Sequence, residues 1–404
     1  MPPARETGAL RALRHRDFRL LWMGLLASAI GTWMQIVAQA LLVLQISHGS
    51  ALALGAVSLA QALAFFAFSL FGGAVADRVD KRRLLLTTQT LCMALAALLG
   101  ALTALHVVAV WMVVALAFLT GAALSFDQPT RAALVPDLVP QEDLLGALSL
   151  QSIVFTGAST VGPALAGLSV AAIGFAGNFF ANAVSYLAVL GALLAIRPAA
   201  GRPTRTPSPR AIREALAAVR ADRVLPAVLA LCGALLFFGP SPALLLPVMA
   251  TQVLHVGPRL LGVLFAASGA GTVLGGFGLA SAGDPSRKAR IVLVSAVLWA
   301  FALAGLGASR SLAPALGALL LLGVFQVGVS ATTITLLQTR VPPQMRGRVM
   351  SLNTLLVMGV RPLGDFFAAT VIATLGAPCT AMASGAAVGI MALAVATRRE
   401  VRAA

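Results

Sequence analysis

About twelve apolar stretches run through this chain, each close to the length that crosses a bilayer. They fall at roughly 20–46, 51–76, 84–105, 107–126, 147–173, 177–196, 225–249, 259–281, 291–308, 312–339, 349–375 and 377–397. A transmembrane helix needs about 20 predominantly apolar residues. The expected fold class is therefore all-α integral membrane, with twelve transmembrane helices. The narrowest divisions lie at His106, Gly174–Gly177 and Gly376, where tight connections between helix pairs are expected.

Charge sets the orientation. Only 10% of the 404 residues are charged, and the formal net charge is +16. In a soluble protein such an excess would point to nucleic acid. Here the basic residues lie between apolar stretches, which points to the membrane surface and to no nucleic-acid partner. They cluster at Arg5–Arg19, Arg78–Arg83, Arg131, Arg197–Arg223, Arg287–Arg290, Arg340–Arg348 and Arg398–Arg402, on every second loop. Of the 29 Lys and Arg, only Arg259, Arg310 and Arg361 lie elsewhere. The positive-inside rule then places both termini and the long middle loop in the cytoplasm. An even number of helices requires the termini to share a side.

The middle loop divides the chain into an N-terminal six-helix bundle, 1–196, a cytoplasmic linker, 197–223, and a C-terminal six-helix bundle, 224–404. Ser208-Pro209 reads as a helix start. Ile212, Leu216 and Val219 follow at helical spacing, so the linker is either a short amphipathic helix on the inner leaflet or a solvated basic segment. The halves also repeat. Val139-Pro140 precedes Ser149-Leu150, and Val341-Pro342 precedes Ser351-Leu352, 202 positions later in each case. Two matched halves are a transporter architecture with the site near mid-membrane.

Nothing in the chain reads as catalytic, and no cofactor is expected. No phosphate-binding loop, metal-ligand spacing or activated nucleophile occurs. Cys92, Cys232 and Cys379 are expected to be packing residues.

The residues that could carry chemistry are few. Arg361 and Asp365 sit four apart inside the eleventh stretch, beside Pro362 and Gly364. Intramembrane charge is costly and marks ion pathways by default. The pair reads either as a proton-titrating carboxylate with an adjacent guanidinium, or as a self-neutralised pair that holds its helix to its neighbours. Asp127 and Arg131 repeat the spacing at the end of the fourth stretch, as a coupling pair or a helix-end pair. Gln35, Gln39, Gln61, Gln326 and Thr333 are uncharged polar residues within stretches. They would line a substrate cavity, together with Trp33, or hydrogen-bond between helices.

Gly73-x-Val75-Ala76-Asp77-Arg78-x-x-Lys81-Arg82 resembles the signature of the major facilitator superfamily, found between its second and third helices. Asp80 stands where that family usually has Gly. Further segments resemble its drug-efflux branch, which includes enterobactin exporters and macrolide-efflux proteins. They are Arg16-x-Phe18-Arg19-x-Leu21-Trp22, Asp127-x-Pro129-x-Arg131, Gly162-Pro163-Ala164-Leu165-Ala166-Gly167 and Asn182-x-x-Ser185-Tyr186-Leu187. The resemblance covers essentially the whole chain.

The resemblance implies a non-enzymatic efflux permease of the bacterial inner membrane, expected as a monomer. Its partners would be small amphiphilic substrates, protons and the lipid bilayer, and it would work by alternating access with proton antiport. Gly73, Asp77, Arg78, Lys81, Arg82, Arg131 and Arg346 would form a conformational gate, with Asp77 meeting the start of the eleventh helix. Gly157, Gly162, Pro163 and Gly167 would let the fifth helix bend and pack on the eighth, at Ser268, Gly271 and Gly275. An importer of the same fold, a lipid or glycolipid flippase, and a non-transporting scaffold or sensor are the alternatives. Substrate identity is not readable from the residues.

Overall fold

A computed structural model of the protein describes residues 11–76, 79–196, 209–281, 287–342, 345–398 and 400–401, and no strand occurs among them. Four helices come first: α1 (Arg16–Ile46), α2 (Ala51–Ala76), α3 (Lys81–Ala104) and α4 (Val110–Leu138). The next run, Leu144–Ala195, is broken at Gly174, whose φ of 71° places it in a conformation that glycine alone adopts without steric cost. It therefore comprises α5 (144–173) and α6 (175–195). A linker helix α7 (Pro209–Ala221) follows, then α8 (Leu225–Phe238) and α9 (Pro242–Val248), which passes into a π-helical turn at Met249–Val253. The remaining helices are α10 (Pro258–Ser281), α11 (Lys288–Ala308) and α12 (Leu312–Thr339). Last comes the run Arg346–Ala396, broken at Gly376 (φ 79°) into α13 (346–375) and α14 (377–396). Ten runs are long and apolar enough to cross a membrane. The two glycine breaks divide two of them, so twelve membrane-length segments lie among the described residues.

The chain forms two compact units. The first comprises Met1–Ile46 and Ala60–Thr206. Its core gathers Phe18, Leu21, Leu85, Leu134, Val189 and Leu193. Asp80, the departure from the family pattern, caps α3: its carboxylate accepts from the Arg83 amide at 2.8 Å. Lys81 donates to the Ala133 carbonyl and pairs with Asp137 at 2.7 Å, which ties the start of α3 to the end of α4. Arg82 donates to the carbonyls of Leu193 and Leu194 at 2.5 and 2.6 Å. These carbonyls lack helical partners at the end of α6.

The second unit comprises Ser47–Leu59 and Pro207–Ala404, so it includes the first residues of α2. There a Cβ on Gly55 would overlap Ala369, which shows how closely the backbones approach. The linker helix α7 is bound to this unit at both ends. Glu214 pairs with Arg348, and Asp222 accepts from Arg340 at 3.1 Å and from the amides of Val224 and Leu225 at 2.7 and 2.9 Å. Partial burial pushes the Asp222 carboxyl up. The amides of Leu225 and Val224 and the Arg340 guanidinium outweigh it and hold the carboxyl below its ordinary range.

Three expectations need correction. The fourth helix does not end near Phe126 but continues to Leu138 through Pro129 and Pro136. Beside the prolines, Thr130 donates to the Phe126 carbonyl at 2.6 Å, and Lys81 donates to that of Ala133. The seventh stretch is not one helix, because it breaks between Phe238 and Pro242. The glycines of the eighth stretch serve the tenth within this unit. A Cβ on Gly271 would meet the Leu320 carbonyl, and one on Gly275 the Val324 carbonyl, both on α12.

Candidate functional site

Asp127 lies wholly inside the first unit, 0% exposed. Three side-chain donors reach it. One oxygen accepts from Thr88 at 3.1 Å and from Gln89 at 2.6 Å, both on α3, and the other accepts from Arg131 one turn along α4. A buried carboxylate needs this compensation. Two polar atoms of the cluster, Gln89 Oε1 and Arg131 Nε, are buried without a partner. The cluster joins α3 to α4.

The second unit holds a different arrangement where α13 crosses the break in the seventh stretch. The local sequence is Gly239-Pro240-Ser241-Pro242. A residue before proline avoids the α conformation, and Gly239 is extended at φ −83°, ψ 104°. Ser241 then caps α9, with its hydroxyl accepting from the Leu244 amide, and Pro242 takes the first helical turn. Such a break leaves a free carbonyl and a free amide, which are costly in a membrane. Arg361 donates to the Gly239 carbonyl at 3.2 Å, and Asp365 accepts from the Ser241 amide at 2.7 Å. Gly364 makes the crossing close, since a Cβ there would overlap the Phe237 carbonyl.

Arg361 and Asp365 therefore correct the sequence expectation of a mutually paired acid and base. Among the described residues no ion pair joins them; each is directed at α8–α9 instead. Asp365 is 6% exposed, and Arg361 is half-buried.

The other expected residues divide in the same way. Gln35 accepts from Asn182 on α6 at 2.7 Å, and Thr333, 2% exposed, meets the Cys232 thiol at 3.2 Å. Both bond between helices. Gln39, Gln61 and Gln326 are half-buried. Trp33 meets Phe155 edge-on, with ring centroids 6.0 Å apart, and its Cβ lies where a side chain on Gly162 would point. Gly162 thus brings α5 onto α1. A Cβ on Gly157 would meet nothing, while Pro163 and Gly167 are buried. Of the gate residues, Lys81, Arg82 and Arg131 make the ties given above, Arg346 is exposed at the start of α13, and Gly73 falls within α2. Asp77 and Arg78 lie outside the described residues. Sequence reasoning missed Thr88, Gln89, Gly239 and Ser241. The Gly-Pro-Ser-Pro string was the available signal for the last two.

A family model described as transmembrane secretion effector matches residues 7–404. Similar proteins include the enterobactin exporter EntS of Citrobacter koseri, 27% identical over 340 residues, covering 81% of this chain and 77% of that protein. EntS of Shigella boydii is 25% identical over 389 residues, covering 93% and 89%. Among solved structures, a bacterial homologue of the iron transporter ferroportin in the inward-facing state gives a TM-score of 0.74 at 17% identity, covering 95% of this chain and 99% of that one. A POT family transporter in complex with 5-aminolevulinic acid gives 0.74 at 13% identity, covering 95% and 96%. At these identities the likeness to the solved structures concerns the fold.

Proposed function

Because the chain belongs to the transmembrane secretion effector family of the major facilitator superfamily, we propose that it exports small amphiphilic compounds, of drug or siderophore type, across the bacterial inner membrane. It is a membrane transporter and not an enzyme. What carries the export reading is that relatives named as enterobactin exporters align with most of this chain. In this reading the protein is a monomer with both termini cytoplasmic. Segments 1–196 and 224–404 alternate access about the linker 197–223, and Gly73, Asp77 and Arg78 belong to the gate.

The driving force in this proposal is the proton gradient. One charge crossing about 100 mV gains ~2.3 kcal/mol. Asp365 is the preferred carrier. It lies mid-helix, buried, with no ion pair to fix its charge, whereas Asp127 is held by three side-chain donors. The test uses cells stripped of their own efflux pumps and loaded with fluorescein, an anionic aromatic dye released inside them from its diacetate. Expression lowers dye accumulation, and an uncoupler restores it. Unchanged accumulation sinks export, and a rise on energisation indicates import.

A further inference from the structure

Arg361 lies at the middle of α13, and among the described residues its hydrogen bond is to the Gly239 carbonyl at 3.2 Å. No carboxylate among the described residues lies within ion-pair distance of it, because Asp365 is turned to the Ser241 amide. A guanidinium has several donors in a planar fork. None of the remaining Arg361 nitrogens is fully buried without a partner, so each keeps some accessible surface. A cation with open donors at that depth does not face hydrocarbon.

Three phenyl rings share the crossing. Phe367 stacks on Phe237 with centroids 5.3 Å apart and planes 25° apart. Phe238 stands edge-on to both, at 5.1 Å from Phe237 and 6.4 Å from Phe367. Phe237 and Phe238 directly precede Gly239, and Phe367 is 45% exposed. The crossing thus holds a guanidinium without a direct ion pair and three phenyl rings, one of them 45% exposed.

We infer that Arg361, with Phe237, Phe238 and Phe367, forms a binding subsite for an anionic aromatic amphiphile. The guanidinium fork takes the carboxylate or phenolate oxygens, and the rings take the aromatic body by offset or edge contacts. The inference rests on the export reading and names the substrate class within it. It also explains why Asp365 is held away from Arg361: a closed ion pair would occupy the donors that the substrate needs.

The test measures binding by purified protein in nanodiscs, with anthracene-9-carboxylate and the neutral 9-anthracenemethanol followed by fluorescence anisotropy against empty discs. The wild-type protein prefers the carboxylate by about tenfold or more, as one charged hydrogen-bonded contact provides. Arg361→Gln brings the ratio near one without weakening the alcohol. Arg361→Lys keeps the charge but loses the fork, and it lowers the ratio partway. Phe367→Leu weakens both probes alike and leaves the ratio unchanged. A wild-type ratio near one overturns the inference, as does a ratio unchanged in either Arg361 variant. The wild-type and lysine arms decide even if the glutamine variant does not fold. A wild-type ratio near one with dye efflux intact removes this inference alone, and absence of efflux removes the reading beneath it.

Discussion

Asp127 and Arg131 on α4, and Arg361 and Asp365 on α13, have the same four-residue spacing, yet only the first pair joins. The difference follows from order. Helical side chains lean toward the N-terminus of their helix. An arginine that follows the aspartate leans back onto it, as Arg131 does. An arginine that precedes the aspartate leans on ahead of it, as Arg361 does, and the two groups reach different neighbours. On α13 those neighbours are the two loose ends of a broken helix. Acid-before-base is also the order that the helix dipole favours. Spacing alone thus says that two charges share a face, and order says whether they meet.

The largest effect that would break this comparison concerns the closed pair. Arg131→Met leaves Asp127 charged and buried and costs about 3–5 kcal/mol, seen as a lowered thermal unfolding temperature in detergent. Adding Asp127→Asn recovers most of the loss, since the remaining amide can still meet Thr88 and Gln89. A single variant as stable as wild type would refute the compensation described for α4.

A smaller loss belongs to the open pair. Asp365→Ala strands the Ser241 amide and costs about 1–3 kcal/mol. Asp365→Asn keeps an acceptor there and so costs less, but in proteoliposomes it abolishes transport driven by a pH gradient. Full pH-driven transport by Asp365→Asn would end the assignment of Asp365 as proton carrier, while leaving its tie to Ser241 intact.

The smallest effect supplies a baseline outside the membrane. Asp222→Asn weakens the start of α8 and the contact with Arg340 by about 1 kcal/mol at neutral pH. The wild-type carboxyl is held low, so its contribution is complete above the unfolded value near 4 and fades as pH falls through the folded value. The two proteins should therefore converge in stability in acid. A gap that persists in strong acid would show that the contact does not depend on the carboxylate charge.

Much of the architecture was legible. Apolar length marked the helices, and glycine at 174 and 376 marked the breaks, because few other residues tolerate such a φ. The site was less legible, for physical reasons. Apolarity continues through Gly239-Pro240-Ser241-Pro242, so a count of hydrophobic residues runs past a break that proline chemistry announces. Asp127 looked like a helix end because the apolar stretch stops at Phe126, yet the helix runs on to Leu138. Thr333 and Gln35 are polar at positions where either a cavity or a neighbouring helix would suit them. Only the packing shows that Cys232 and Asn182 are their partners. The cluster around Lys81 and Arg82 reads from sequence as loop charge, whereas its contacts with Asp137 and the end of α6 depend on the fold.

The glycine breaks also follow the internal repeat. Gly376 follows Gly174 by 202 positions, the interval that separates Val341 from Val139. The break between α5 and α6 and the break between α13 and α14 therefore recur at the interval of the sequence repeat. At the same interval Asp127 and Arg131 correspond to Val329 and Thr333, while Arg361 and Asp365 correspond to Ser159 and Pro163. Gly239 corresponds to Val37, inside the unbroken α1. Neither charged pair recurs at that interval, and neither does the break at Gly239. The glycine breaks repeat along the chain, while each charged pair stands in one place only.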